Sequence, residues 1–156
     1  MTVALSKTVK KAVKKGCGEM SEDRWLIMET LSKYAWGYDE NDIKMMGASF
    51  TEDGILNMKI TSGTVYDPMV GRDAIVKIMG DIRNTQTDQR RHIISNPIFI
   101  KLEKNSAEVI TFLALTTAEN NTVKLVTTGT YRDLMVKGSD GVWRSKQKDL
   151  VMDCPF

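Results

Sequence analysis

Over residues 21–39 the apolar side chains recur every three or four positions. Ile27, Leu31, Tyr34 and Tyr38, with Met28 and Ala35 alongside, form a stripe wide enough to pack on a sheet, which predicts an amphipathic helix. Ser21 is a suitable N-cap, and Glu22 and Asp23 suit the positive end of the helix dipole, so the helix is expected to start there. Trp25 and Trp36 fall toward its margins. Stepping back by helical spacing from Asp39 reaches Ala35, Leu31 and Met28, so an acid closes the apolar stripe. A desolvated carboxylate in that place suits a group that must take and return protons near neutral pH.

Asp42 is placed to cap a short second helix over 43–50, and Thr51-Glu52-Asp53-Gly54 reads as a turn. A short strand is expected over 54–60, then a loop over 61–68 rich in Thr, Ser, Gly, Asp and Pro. Ile75, Ile78, Met79 and Ile82 predict a third helix over 73–83. From Arg90 the pattern changes to long β-rich runs at 91–102, 107–118, 122–136 and 142–151. Asn120-Asn121 tolerates positive φ and Gly138-Ser139-Asp140-Gly141 supplies a compact turn, so these strands should form an antiparallel meander. Pro97 marks an edge or a bulge in the first of them. Helices followed by long antiparallel strands give an α+β fold. The helices should cover one face of a strongly curved, mostly antiparallel sheet, with a pocket between the layers.

A chain of 156 residues has the length of a single domain. Residues 1–20 read as a basic arm and 21–156 as the domain. Within the arm, Val3, Leu5, Val9, Ala12 and Val13 stand among five lysines at spacing suited to a short amphipathic helix, which Gly16-Cys17-Gly18 should end. Three readings compete for it: a flexible solvated arm that frays or docks on a neighbouring subunit, a weak membrane-surface contact, or a targeting segment. The arm holds Glu19 as its single acid, so the rest of the chain is net −2 and has no basic surplus to hold nucleic acid. Cys17 and Cys154 fit no disulfide framework or metal spacing, and no apolar run approaches the ~20 residues of a membrane span. A soluble cytoplasmic protein is expected. Nucleotide-binding, serine-nucleophile and HExxH signatures are missing from the sequence, so neither cofactor nor metal is expected.

The order of motifs resembles the NTF2-like superfamily and, within it, the SnoaL-like and scytalone dehydratase-like branch. Tyr38-Asp39-Glu40-Asn41-Asp42 followed by Phe50-Thr51-Glu52-Asp53-Gly54 is similar to its "acid, short helix, F-x-x-D-G" opening. Gly71-Arg72-Asp73-Ala74-Ile75 resembles the "G-x-x-A-I" helix start, and Arg91-His92 the "R-H" of the first long strand. Gly129-Thr130-Tyr131-Arg132-Asp133 resembles the "G-x-Y-x-D" strand, and Gly141-Val142-Trp143-Arg144 the "G-x-W-R" final hairpin. The resemblance implies a cone in which Asp39 and His92 form an acid/base pair. It also implies a homodimer formed through the outer face of the sheet, with a trimer as the alternative. Two departures stand out. His92 is the only histidine, whereas scytalone dehydratase has a second one on the next strand. Of that enzyme's carbonyl-polarising Tyr pair only Tyr38 is kept, its partner position falling near Met58. Lys148 lies near the position of the cationic residue that holds the leaving group in hexachlorocyclohexane dehydrochlorinase.

A carboxylate that accepts an imidazole N–H fixes the tautomer and turns the ring into a general base. One such pair serves dehydration, elimination, double-bond isomerisation or cyclisation. The expected function is thus a cofactor-independent lyase or isomerase, related to the polyketide cyclases, acting in secondary or degradative metabolism on a hydrophobic small molecule. Asp39 and His92 are the catalytic candidates, and Tyr34, Tyr38, Met58 and Lys148 the substrate-binding ones. Tyr34 reads equally as a core-edge aromatic, and strand alternation leaves Lys148 open to a solvent position. Arg132 and Asp133 have opposite strand parity, so at most one faces the cone. The rival is a non-catalytic ligand-binding or assembly module of the same fold, distinguished by whether Asp39 and His92 meet in a pocket.

Overall fold

A computed structural model describes the backbone of residues 7–155 and the side chains of residues 22–155. The first helix, α1 (Lys7–Asp39), does not start at Ser21 but continues upstream through the Gly16-Cys17-Gly18 segment. Two helical glycines cost about 1 kcal/mol each relative to alanine, a penalty that a long helix of Lys, Val and Ala neighbours can absorb. The expectations for residues 1–6, and for the side-chain partners of the arm, lie outside the described residues.

From Glu22 on, α1 buries the predicted stripe: Ile27, Leu31, Tyr34, Ala35 and Tyr38 are all buried, whereas Trp25 and Trp36 are exposed. The stripe serves two cores in sequence. Ile27 and Leu31 pack with Val109, Met135 and Trp143 in a solid lower core. Tyr34, Ala35 and Tyr38 join a second cluster with Met46, Phe50, Leu56 and Leu113. In the lower core the Trp143 indole N–H donates to Asp23 Oδ1 at 2.8 Å, and the Thr30 hydroxyl donates to the Trp143 carbonyl at 3.0 Å, which pins helix to sheet.

After α1 the chain reverses sharply through Asn41, whose φ is 58°. Asp42 caps α2 (Ile43–Ala48), its Oδ1 accepting the Met45 N–H at 2.9 Å. The helices cross so closely at Gly37 that a Cβ there would stand 2.5 Å from the Met46 nitrogen. The strands are β1 (Phe50–Ile60), β2 (Met69–Val70), β3 (Gln89–Leu102), β4 (Ser106–Glu119), β5 (Thr122–Lys137) and β6 (Trp143–Met152). The third helix is α3 (Arg72–Asn84). They form one sheet in the order β2-β1-β6-β5-β4-β3, antiparallel except where β1 runs parallel to β6. The expected turn at 51–54 is instead the start of β1, with a register shift between Phe50 and Ile55 absorbing the irregularity. β3 is one of the two edge strands, and its register slips between Ser95 and Ile98 around Pro97, where a missing N–H is tolerated. Among the described residues no helix is long and apolar enough to cross a membrane.

Candidate active site

The end of α1 is held by side chains from α3 and β3. Arg83 Nε donates to the Tyr38 carbonyl at 3.1 Å and Gln89 Nε2 to the Asp39 carbonyl at 3.0 Å, so α3 and β3 satisfy carbonyls that the helix leaves without partners. This anchoring fixes the direction in which the buried Asp39 side chain leaves the helix. Its Oδ2 accepts the backbone N–H of His92 at 2.8 Å, and its Oδ1 lies 2.6 Å from His92 Nδ1. An ionised carboxylate has no proton to give, so Nδ1 carries a hydrogen, and in the neutral ring Nε2 is the nitrogen with the lone pair. The Tyr38 ring meets the imidazole edge-on, with centroids 5.3 Å apart, and limits its rotation.

His92 lines a cavity of about 210 Å³ between the helices and the sheet. Met58, Met69, Met79, Leu113, Leu150 and Met152 give it apolar walls, and Tyr34, Tyr38, Tyr66, Gln86, Arg90 and His92 supply its polar groups. Since a cavity of about 150 Å³ holds benzene, this one has room for one or two rings. Burial pushes the Tyr38 phenol up from its ordinary range, partly offset by the Gln86 hydrogen bond and by the charges of Arg90 and Arg83. Tyr34 is also pushed up, by burial first and then by the carboxylate of Asp133. Both phenols therefore stay protonated and able to donate at neutral pH. Among the described residues no three His, Cys, Asp or Glu side chains converge where a metal ion could sit.

Of the six candidates, Asp39 and His92 touch each other, and Tyr34, Tyr38 and Met58 line the cavity with His92. Lys148 does not, which corrects the expectation that it binds substrate or faces solvent. It is fully buried beyond the cavity wall, 2.7 Å from Asp133 Oδ1 and 2.8 Å from Oδ2. Its ammonium sits 4.5 Å from the centre of the Tyr34 ring and 4.7 Å from that of Tyr131. Asp133 also accepts a hydrogen bond from Ser145 at 2.5 Å. Two charges survive without water here because each has several partners, including two aromatic faces for the cation. Asp133 is thus the inward member of its pair of strand neighbours, while Arg132 lies outside and bonds Glu108.

Sequence reasoning missed Gln86 and Arg90. Gln86 gave no signal in a polar loop, but Arg90 shares strand parity with His92 and its inward direction was readable from that.

A helical layer on a curved, mostly antiparallel sheet with a polar pair in the hollow is the NTF2-like α+β cone. Residues 19–149 match the model of the SnoaL-like domain, and the chain belongs to that family. No curated protein matches the sequence. Among solved structures it is similar to an NTF2-like protein with a cystatin-like fold from Novosphingobium aromaticivorans (17% identity, TM-score 0.77, covering 96% of this chain and 92% of the other). It is also similar to ActVI-ORFA from Streptomyces coelicolor (18%, TM-score 0.72, covering 83% and 96%). A third is the beta subunit of a putative aromatic-ring-hydroxylating dioxygenase from N. aromaticivorans (14%, TM-score 0.74, covering 87% and 92%). At these identities the structural likeness speaks for the fold alone.

Proposed function

We propose that the protein is a cofactor-independent lyase or isomerase in which His92 is the general base and Asp39 orients it. The observation that carries this reading is the two-point contact of Asp39 with His92, through ring and backbone, beside a small apolar cavity. Nε2 takes a proton from a carbon next to a carbonyl or leaving group. The C–H electron pair becomes a new C=C bond, and either the leaving group departs or the carbonyl electrons move to oxygen as an enolate. Asp39 stabilises the imidazolium, which then returns the proton to the leaving group or to another carbon. Tyr38 and Tyr34 are donors to the substrate oxygen. The substrate class is a hydrophobic molecule of one or two rings.

A non-catalytic binding or assembly module is the alternative, and the dioxygenase beta subunit among its structural neighbours keeps it in view. Such a role needs no oriented imidazole at a cavity, so the geometry favours catalysis. The apolar outer face of the sheet, with Ile93 and Phe112 about half exposed, supports a homodimer. The test is a panel of one- and two-ring hydroxyketones and halides incubated in D₂O and read for product or for deuterium uptake. The wild type should act on a member of the panel, with the rate falling about 10²- to 10⁴-fold in His92→Ala. Equal rates in wild type and His92→Ala contradict the proposal.

A further inference from the structure

Two of the three tryptophans are exposed, Trp25 at 76% and Trp36 at 64%, whereas Trp143 is buried. Tryptophan is on average a highly buried residue, so two rings this exposed on one helix call for an explanation. Both stand on α1, about three turns apart, along the line of the helix opposite its buried stripe of Ile27, Leu31, Tyr34 and Tyr38. The side chains between them are polar: Lys33 pairs with Glu29 at 2.7 Å, and the Ser32 hydroxyl donates to the Met28 carbonyl at 2.8 Å. Beyond Trp36, the charge of Glu40 is met by Arg91 at 2.9 Å. Helical spacing over the same continuous backbone puts Lys7, Lys11 and Lys14 on this line upstream of Trp25, with Lys10 and Lys15 at its sides. Glu19 and Glu22 are the only acids of that stretch, so positive charge is in excess by three (5 − 2) ahead of the first exposed ring.

A protein interface buries its aromatic anchors in a continuous apolar centre, and here Glu29, Ser32 and Lys33 separate the two rings. An anionic lipid surface makes no such demand. Tryptophan settles at the level of the headgroups, where its ring meets acyl carbon and its N–H meets water, and each ring enters by itself. The negative potential of the same surface adds about fivefold in partition for each lysine brought close to it. We propose that the outward face of α1 is a docking surface for anionic lipid membranes, its lysines drawing the chain to the headgroups and Trp25 and Trp36 entering the interface. The contact is shallow and reversible, because the basic segment is poor in bulky apolar residues and no helix among the described residues is apolar enough to cross a bilayer. It leaves the catalytic candidates untouched, since Tyr34 and Tyr38 meet the cavity from the other side of the helix.

The test mixes the full chain with vesicles of phosphatidylcholine, pure or mixed with phosphatidylserine. Cosedimentation should show binding about tenfold or more tighter to the mixed vesicles, and weaker as salt rises. Tryptophan emission should shift to the blue on binding, and because Trp143 is buried already the shift reports Trp25 and Trp36. Trp25→Ser with Trp36→Ser should lose on the order of tenfold in affinity at unchanged circular dichroism. Lys11→Gln with Lys14→Gln should lose about tenfold as well. No binding to the mixed vesicles, equal binding to both kinds, or full binding by the tryptophan variant overturns the assignment. So does a dimer that the tryptophan variant splits while vesicles go unbound, which gives the face to a second copy. Should that variant not fold, lipids brominated in their acyl chains probe the wild type directly: quenched emission is expected, and unquenched emission contradicts. Vesicle binding is read without turnover, so it is decided separately from the acid/base reading.

Discussion

Asp39 holds His92 at two points, its Oδ2 accepting the backbone N–H at 2.8 Å and its Oδ1 lying 2.6 Å from Nδ1. The backbone contact fixes where the carboxylate stands relative to β3, and the ring contact fixes which nitrogen carries the proton. One residue therefore ties the end of α1 to the sheet and sets the chemistry of the only imidazole in the chain.

Asp39→Asn removes this arrangement without changing shape. The amide can accept one of the two N–H groups, but its own NH₂ then opposes the other. Activity should fall about 10²- to 10⁴-fold, the usual contribution of general acid/base catalysis. Stability should fall by roughly 1–3 kcal/mol, the cost of an unsatisfied buried donor. Steady-state kinetics with urea unfolding measures both, and a variant as active as the wild type would contradict the role of Asp39.

Lys148 and Asp133 predict a different outcome. Each side chain is only 1% exposed, so Lys148→Met leaves a buried carboxylate with Ser145 as its main partner. The single substitution should cost about 3–5 kcal/mol. The double variant Lys148→Met, Asp133→Leu should recover a large part of that loss, because no unpaired charge remains. Denaturant midpoints decide it, and additive losses in the double variant would show that the two charges are not coupled.

Three of the four tyrosines, Tyr34, Tyr38 and Tyr131, are pushed up, chiefly by burial. For a phenol whose ionisation is raised in the folded state, the stabilising effect is complete below the unfolded value near 10. It is lost as pH rises from there through the folded value. Thermal stability should therefore drop above about pH 10, in step with the tyrosinate absorbance of the unfolding chain. Full ionisation of all four tyrosines in a still folded protein would contradict this burial.

Phe112 is 52% exposed on the outer face of the sheet beside other apolar side chains. If that face pairs two copies, Phe112→Arg should give a monomer with the same circular dichroism. Sedimentation analysis showing the wild type and the variant in one common state would count against the dimer.

The helical stripe could be read in the sequence because Ile27, Leu31, Tyr34 and Tyr38 follow the period of the element they build. The reversals at Asn120-Asn121, with φ of 49° and 58°, were equally legible, since few other residues tolerate that region. Asp39 stood out as an acid closing an apolar stripe. The parallel pairing of β1 with β6 was not legible, because it depends on contacts between residues such as Leu56 and Lys148, far apart along the chain. The start of β1 was hidden by Thr51-Glu52-Asp53-Gly54, whose turn chemistry is overridden by sheet pairing. Lys148 was misplaced for a related reason. Its charge suggested a ligand or solvent, whereas its parity with Leu150 and Met152 pointed inward, and the partner that makes burial tolerable sits on β5.

The central claim concerns one nitrogen, and His92 being the sole histidine lets it be observed directly. A long-range ¹⁵N–¹H correlation spectrum of the uniformly labelled protein contains a single imidazole pattern. The account predicts the neutral ring protonated at Nδ1 with a free Nε2, and loss of that fixed tautomer in Asp39→Asn. A ring protonated at Nε2, or one averaging between tautomers in the wild type, would contradict it.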